Sequence, residues 1–124
     1  MLSNTLLVII GGGLGSACRY LFSLLAVKWF GDNFPIGTLG VNLVGSFLIG
    51  LSFSLAGRNI IPPMIRLLFM TGFLGGLTTF STYALESANF MSNGGFLSAS
   101  VNIVINNLGG LALVFLGLWL GKTI

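Results

Sequence analysis

Four long apolar stretches, each long enough to cross a bilayer, constrain this chain more than any other feature. A spanning helix needs roughly 20 mainly apolar residues. The stretches run at about Leu2–Trp29, Gly37–Ala56, Ile65–Phe90 and Phe96–Gly121. The breaks between them carry turn chemistry: Gly31-Asp32-Asn33-Phe34-Pro35, then Gly57-Arg58-Asn59 with Pro62-Pro63, then Ser92-Asn93-Gly94-Gly95. Proline lacks an N–H, and Gly, Asp and Asn favour turns. No stretch is left over for a soluble domain, so residues 1–124 read as a single all-α, four-helix transmembrane domain.

Charge supports that reading. Only 6% of the residues are charged, against about a quarter in soluble domains, and 55% are hydrophobic. Five basic residues (Arg19, Lys28, Arg58, Arg66, Lys122), two acids (Asp32, Glu86) and no histidine cannot solvate a water-soluble surface of this size. The net charge of +3 is spread along the chain, whereas a nucleic-acid site needs several basic side chains on one face. Cys18 is the only cysteine, so no intrachain disulfide supports the fold. The apolar run Leu2–Ile10 has no basic side chain before it, which a cleavable signal requires, and it reads as part of a retained first helix.

With four spans, both termini share a side with the loop holding Arg58 and Arg66. That side carries Arg58, Arg66 and Lys122; the other carries Lys28 and, if it counts, Arg19. Orientation follows the Lys/Arg excess in short loops. Three against two leaves both a weakly fixed orientation and insertion in both orientations open. Glycine is abundant, with 19 residues. The pairs Gly11/Gly15, Gly72/Gly76 and Gly117/Gly121 have the four-residue spacing that lets helices approach closely. Four helices make a thin bundle, so an oligomer is expected.

Polar residues in membrane helices face partner helices or water-filled cavities. Here they form stripes. Thr38, Asn42, Ser46 and Gly50 recur every four residues in the second span, and Asn102, Asn106 and Gly110 in the fourth, with Asn107 beside them. The third span carries Gly75-Gly76-Leu77-Thr78-Thr79-Phe80-Ser81-Thr82-Tyr83, then Glu86. A single Ser or Thr can satisfy itself on the preceding turn; the asparagines need external partners. A path lined by hydroxyls, amides and rings, with almost no carboxylate, suits an anion or a neutral solute rather than a cation. The Gly75-Gly76 pair marks either a packing kink or a true break that frees backbone groups.

The run from Gly72 to Tyr83, ending in Glu86, resembles the signature of the bacterial Fluc (CrcB) fluoride channels. So do Gly11-Gly12-Gly13-Leu14-Gly15 with Arg19-Tyr20, Gly37-Thr38-Leu39 with Val41-Asn42 and Gly45, and Asn106 with Gly109. The resemblance spans the chain in order. It implies an antiparallel, dual-topology homodimer in the bacterial inner membrane, with a broken third helix and two fluoride pores. It also implies a structural sodium ion on the dimer axis, held by carbonyls of Gly75 and Thr78. Asn42, Phe80 and Tyr83 would line the ion path, continued by Ser81, Thr82 and Glu86, with Thr38 and Asn106 on its polar stripes. Arg19 would sit in an aqueous vestibule or aid orientation. Tyr83 stands where many relatives carry phenylalanine, and is expected to preserve conduction while changing its rate. No obligate protein partner is implied.

Two other classes compete. A dual-topology, proton-coupled drug exporter needs a membrane carboxylate, commonly in the first helix, where this chain has none. An accessory subunit would use the polar stripes only as glue. An enzyme is least supported, because one cysteine, two acids and no histidine assemble no acid/base pair or metal site.

Overall fold

The computed structural model describes residues 1–124 as a bundle of helices without strands. Helix α1 (Leu2–Phe30) and α2 (Ile36–Gly57) are continuous. The third span, Pro63–Ser92, is two helices: α3 over residues 63–77 and α4 (Phe80–Ser92). The fourth span is α5 (Phe96–Thr123). The turns fall at the chemistry named above. Gly31 and Gly94 adopt φ of 77° and 78°, a region L side chains avoid. Asn59, at φ 58°, is the residue type that best tolerates that region. Pro63 opens α3 at a position where its missing N–H costs nothing.

The molecule is turned inside out relative to a soluble domain. Its buried apolar residues are few and small to medium in size: Ala26, Val41, Ala56, Leu74, Leu77 and Ala99. Phe96, Leu97, Phe115 and Trp119 stand exposed. Such an exterior is stable only in lipid, where helices pack through close backbone approach instead of the hydrophobic effect. Two seams do this. Along one, α1 lies against α3, and a Cβ on Gly15 would strike the Phe73 carbonyl oxygen. Along the other, α2 lies against the C-terminal half of α5, and a Cβ on Gly50 would strike the Val114 carbonyl oxygen. Gly11, Gly72, Gly117 and Gly121 each sit against the opposing helix, so the four-residue spacings read as packing sites are packing sites.

Two segments are wound as π-helix, Arg66–Leu74 and Ile105–Gly109. Such turns are rare and concentrate at functional sites. The first leads into the break between α3 and α4; the second carries Asn106 and Asn107 past it.

Candidate functional site

The third span breaks at Thr78–Thr79, not at the glycine pair. Gly75, Gly76 and Leu77 remain helical, and a Cβ on Gly76 would strike the Gly12 carbonyl oxygen, so Gly76 is a packing glycine. Thr78 (φ −83°, ψ 155°) and Thr79 (φ −147°, ψ 120°) are extended. Extended backbone inside a membrane must find other partners. Asn42 of α2 supplies them: its Oδ1 accepts from the Thr79 N–H at 2.8 Å, and its Nδ2 donates to the Thr79 carbonyl at 3.1 Å. Thr79 then caps α4 by accepting from the Thr82 N–H at 3.2 Å. Gly45 leaves room for Thr78, whose methyl would strike a Cβ there.

The break changes which carbonyls are free. In a continuous helix the Thr79 N–H would donate to the Gly75 carbonyl; here it goes to Asn42. The Thr78 carbonyl accepts no backbone or side-chain hydrogen bond. Both residues line one cavity. Two uncommitted carbonyls in a membrane interior are oxygen ligands of the kind a hard monovalent cation takes, so the residues present fit the sodium site the resemblance implies.

From Asn42 a directed chain of amides runs into α5 and back to α4. Asn42 Nδ2 donates to Asn106 Oδ1 at 2.9 Å, Asn106 Nδ2 to Asn102 Oδ1 at 2.9 Å, and Asn102 Nδ2 to Ser87 Oγ at 3.0 Å. Ser87 Oγ donates to the Tyr83 carbonyl at 2.9 Å. The chain begins and ends on groups that only donate or only accept, the Thr79 N–H and the Tyr83 carbonyl, so every amide orientation along it is fixed. Asn102 is wholly buried, at 0% exposure. A polar side chain so placed is tolerated because each of its groups is bonded.

A cavity of about 380 Å³ opens beside the break, lined by Asn42, Gly75, Thr78, Phe80, Tyr83, Asn106 and Asn107 among others. The Phe80 and Tyr83 rings meet edge to face there, centroids 5.5 Å apart at 61°. Aromatic edges carry the positive part of the ring quadrupole. Thr38, Thr82 and Glu86 lie instead on a second cavity of about 480 Å³, toward the Gly31–Pro35 turn. There Thr38 Oγ1 donates to Glu86 Oε2 at 2.9 Å, while Glu86 Oε1 is buried without a partner. The second-span stripe therefore serves two cavities, with Thr38 on one and Asn42 on the other. Ser81 is exposed and lines neither.

Arg19 stands in the middle of α1, eleven residues short of its end at Phe30, or about 16 Å along the axis. Its Nε donates to the Gly76 carbonyl at 3.0 Å. It thus caps the C-terminal end of α3 and is no loop charge. Without Arg19, the loops and ends carry Arg58, Arg66 and Lys122 on one side and Lys28 on the other. Thr79, Asn102 and Ser87 were not singled out as site residues. Asn102 lay on the four-residue stripe and could have been. Thr79 acts through its backbone, which no side-chain pattern marks.

With this geometry in hand, comparison with known proteins is decisive. Residues 6–118 match the family described as CrcB-like protein, Camphor Resistance (CrcB). The chain belongs to this family. A CrcB relative from Hydrogenobaculum sp., named fluoride-specific ion channel FluC, is 50% identical over 119 residues, which is 95% of this chain and 97% of the relative. Proteins of the same name from Shewanella oneidensis and Shewanella baltica are 43% and 42% identical over 116 residues, 94% of each chain. The similarity extends well beyond the third-span run, over residues 6–118 of this chain. With its four membrane-crossing spans, the chain is a multi-pass membrane protein.

Proposed function

We propose that the chain is a passive, fluoride-selective channel of the bacterial inner membrane that lowers cytoplasmic fluoride, working as an antiparallel, dual-topology homodimer with two pores. The observation that carries this reading is the Asn42-held break, with Phe80 and Tyr83 set edge to face on one cavity, in a chain whose full-length relatives are named fluoride channels. Fluoride is small and strongly hydrated, so a pathway must replace its shell with donors and positive edges. The first turn of α4 presents backbone N–H groups toward the break, of which only Thr82's is taken by the cap. Ring edges of Phe80 and Tyr83 continue from there. No carboxylate lines this cavity.

The dimer is supported by exposure. The Phe80 ring is 78% exposed in the single chain, although it lines the cavity. One thin bundle cannot enclose a dry path around it; a second copy can. The antiparallel arrangement follows the family resemblance rather than the loop charges. Carbonyls of Gly75 and Thr78 from both copies would hold the structural sodium ion. Bound there, the ion supplies a fixed positive charge that offsets the cost of holding an anion in low dielectric.

The test is fluoride efflux from liposomes containing the purified protein, followed with a fluoride electrode and run beside chloride efflux. Rapid fluoride release with negligible chloride release, abolished by Phe80→Ser, is the expected result. Correctly inserted dimers that release no fluoride would overturn the reading.

A further inference from the structure

Around the break, one side-chain donor has no fixed acceptor. Both hydrogens of Asn42 Nδ2 are used, on the Thr79 carbonyl and on Asn106 Oδ1. Asn106 Nδ2 is committed to the carbonyl and the Oδ1 of Asn102. Asn107 Nδ2 serves the Ile103 carbonyl at 2.8 Å and Tyr83 Oη at 2.9 Å. The hydroxyls of Ser46, Thr78 and Thr79 donate to the Asn42 carbonyl, the Leu74 carbonyl and Thr82 Oγ1. What remains on the cavity is the phenol of Tyr83.

Its orientation is determined by its neighbour. The Ile103 carbonyl can only accept, so the atom of Asn107 beside it must be the amide nitrogen. The second hydrogen of that nitrogen points at Tyr83 Oη, which must therefore accept. A phenol oxygen that accepts from Asn107 keeps its own hydrogen for another partner, and Tyr83 and Asn107 both line the cavity beside the break.

We infer that the Tyr83 hydroxyl, oriented by Asn107, is a specificity-determining donor that hydrogen-bonds a small anion in the cavity between α2, α4 and α5. The inference rests on the channel reading for the anion's identity, fluoride, and adds a donor where that reading uses only a ring edge. Asn107 is a positioning residue; Tyr83 touches the ion.

Two measurements test it. In liposome flux assays over a range of fluoride concentrations, Tyr83→Phe raises the half-saturating concentration roughly three- to tenfold, the scale of one lost hydrogen bond to a charged acceptor partly replaced by water. Asn107→Leu raises it about twofold, because the hydroxyl remains but is no longer held. Separately, in purified Tyr20→Phe protein, where Tyr83 is the only tyrosine, sodium fluoride shifts the tyrosine ultraviolet band saturably, while sodium chloride does not. The shift is lost when Tyr83→Phe is added. A spectral shift without flux would uphold the donor and sink the channel. Flux with an unchanged half-saturating concentration in Tyr83→Phe and no spectral shift would overturn the donor and leave the channel standing. Neither flux nor shift would overturn both.

Discussion

The two halves of this bundle are held together by different forces. Along the α1–α3 seam and the seam of α2 with the end of α5, glycines bring backbones into direct contact, and the polar side chains that cross, Arg19, Ser54 and Arg58, donate to the main-chain carbonyls of Gly76, Leu118 and Gly121. Around the break, Asn42, Asn106, Asn102 and Ser87 connect three helices through amide and hydroxyl bonds. The glycine seams need only the absence of a side chain, and at Gly11, Gly15, Gly50 and Gly117 even a Cβ would strike opposing backbone. The amide chain needs every member, because one missing amide leaves buried groups unpaired in a medium with no water to take them. Rigid seams give the bundle its shape, and the amide chain holds open a two-residue gap in a membrane helix.

That contrast can be broken at either end. The largest effect is expected from Gly15→Val, whose side chain meets the Phe73 carbonyl and the Leu77 N–H, backbone that cannot rotate away. The cost is on the order of 3 kcal/mol or more. It should show as loss of a monodisperse peak in size-exclusion chromatography; a native elution profile would show that the seam can part without loss of fold.

Asn42→Ala comes next. It strips the Thr79 N–H and carbonyl of their partner and removes the donor to Asn106, at about 2–4 kcal/mol. Because the loss is local to the break, the variant should still purify folded, melt several degrees lower and conduct no fluoride. Normal flux would mean that the break holds its shape without the amide.

The smallest effect sharpens the comparison as a control. Gly13 lies on α1 with no atom within 4 Å of an added Cβ. Gly13→Ala should therefore change stability by less than about 1 kcal/mol, upward, through helix propensity alone. A thermal unfolding midpoint lowered as far as in Asn42→Ala would place Gly13 in a contact that the single chain does not contain.

Much of the architecture could be read in advance. Four apolar spans, their turn residues and the packing glycines are local properties, and the observed helices Leu2–Phe30, Ile36–Gly57, Pro63–Ser92 and Phe96–Thr123 exceed the expected bounds by only a few residues. The polar stripes were visible too, but their connections were not. Thr38 and Asn42 share a helix face and serve different cavities, because α4 passes Glu86 beside one and the extended Thr79 beside the other. The bond from Arg19 to the Gly76 carbonyl was not legible either, because the two residues lie 57 apart in the chain.

By itself, then, the sequence determined that this chain lives in a membrane as four helices and which residue types it brings there. Charge scarcity and apolar length decide that without reference to any neighbour. Only the tertiary structure decided where the third helix breaks and which donors stay free. A glycine permits a break but does not require one. The extended pair Thr78–Thr79 exists because an asparagine on another helix satisfies the N–H and the carbonyl that the break exposes. The Tyr83 hydroxyl keeps its hydrogen because its oxygen accepts from Asn107 and no group of the chain takes the proton in return. Those facts are sums over groups distant in sequence, and only the packed helices bring them within bonding distance.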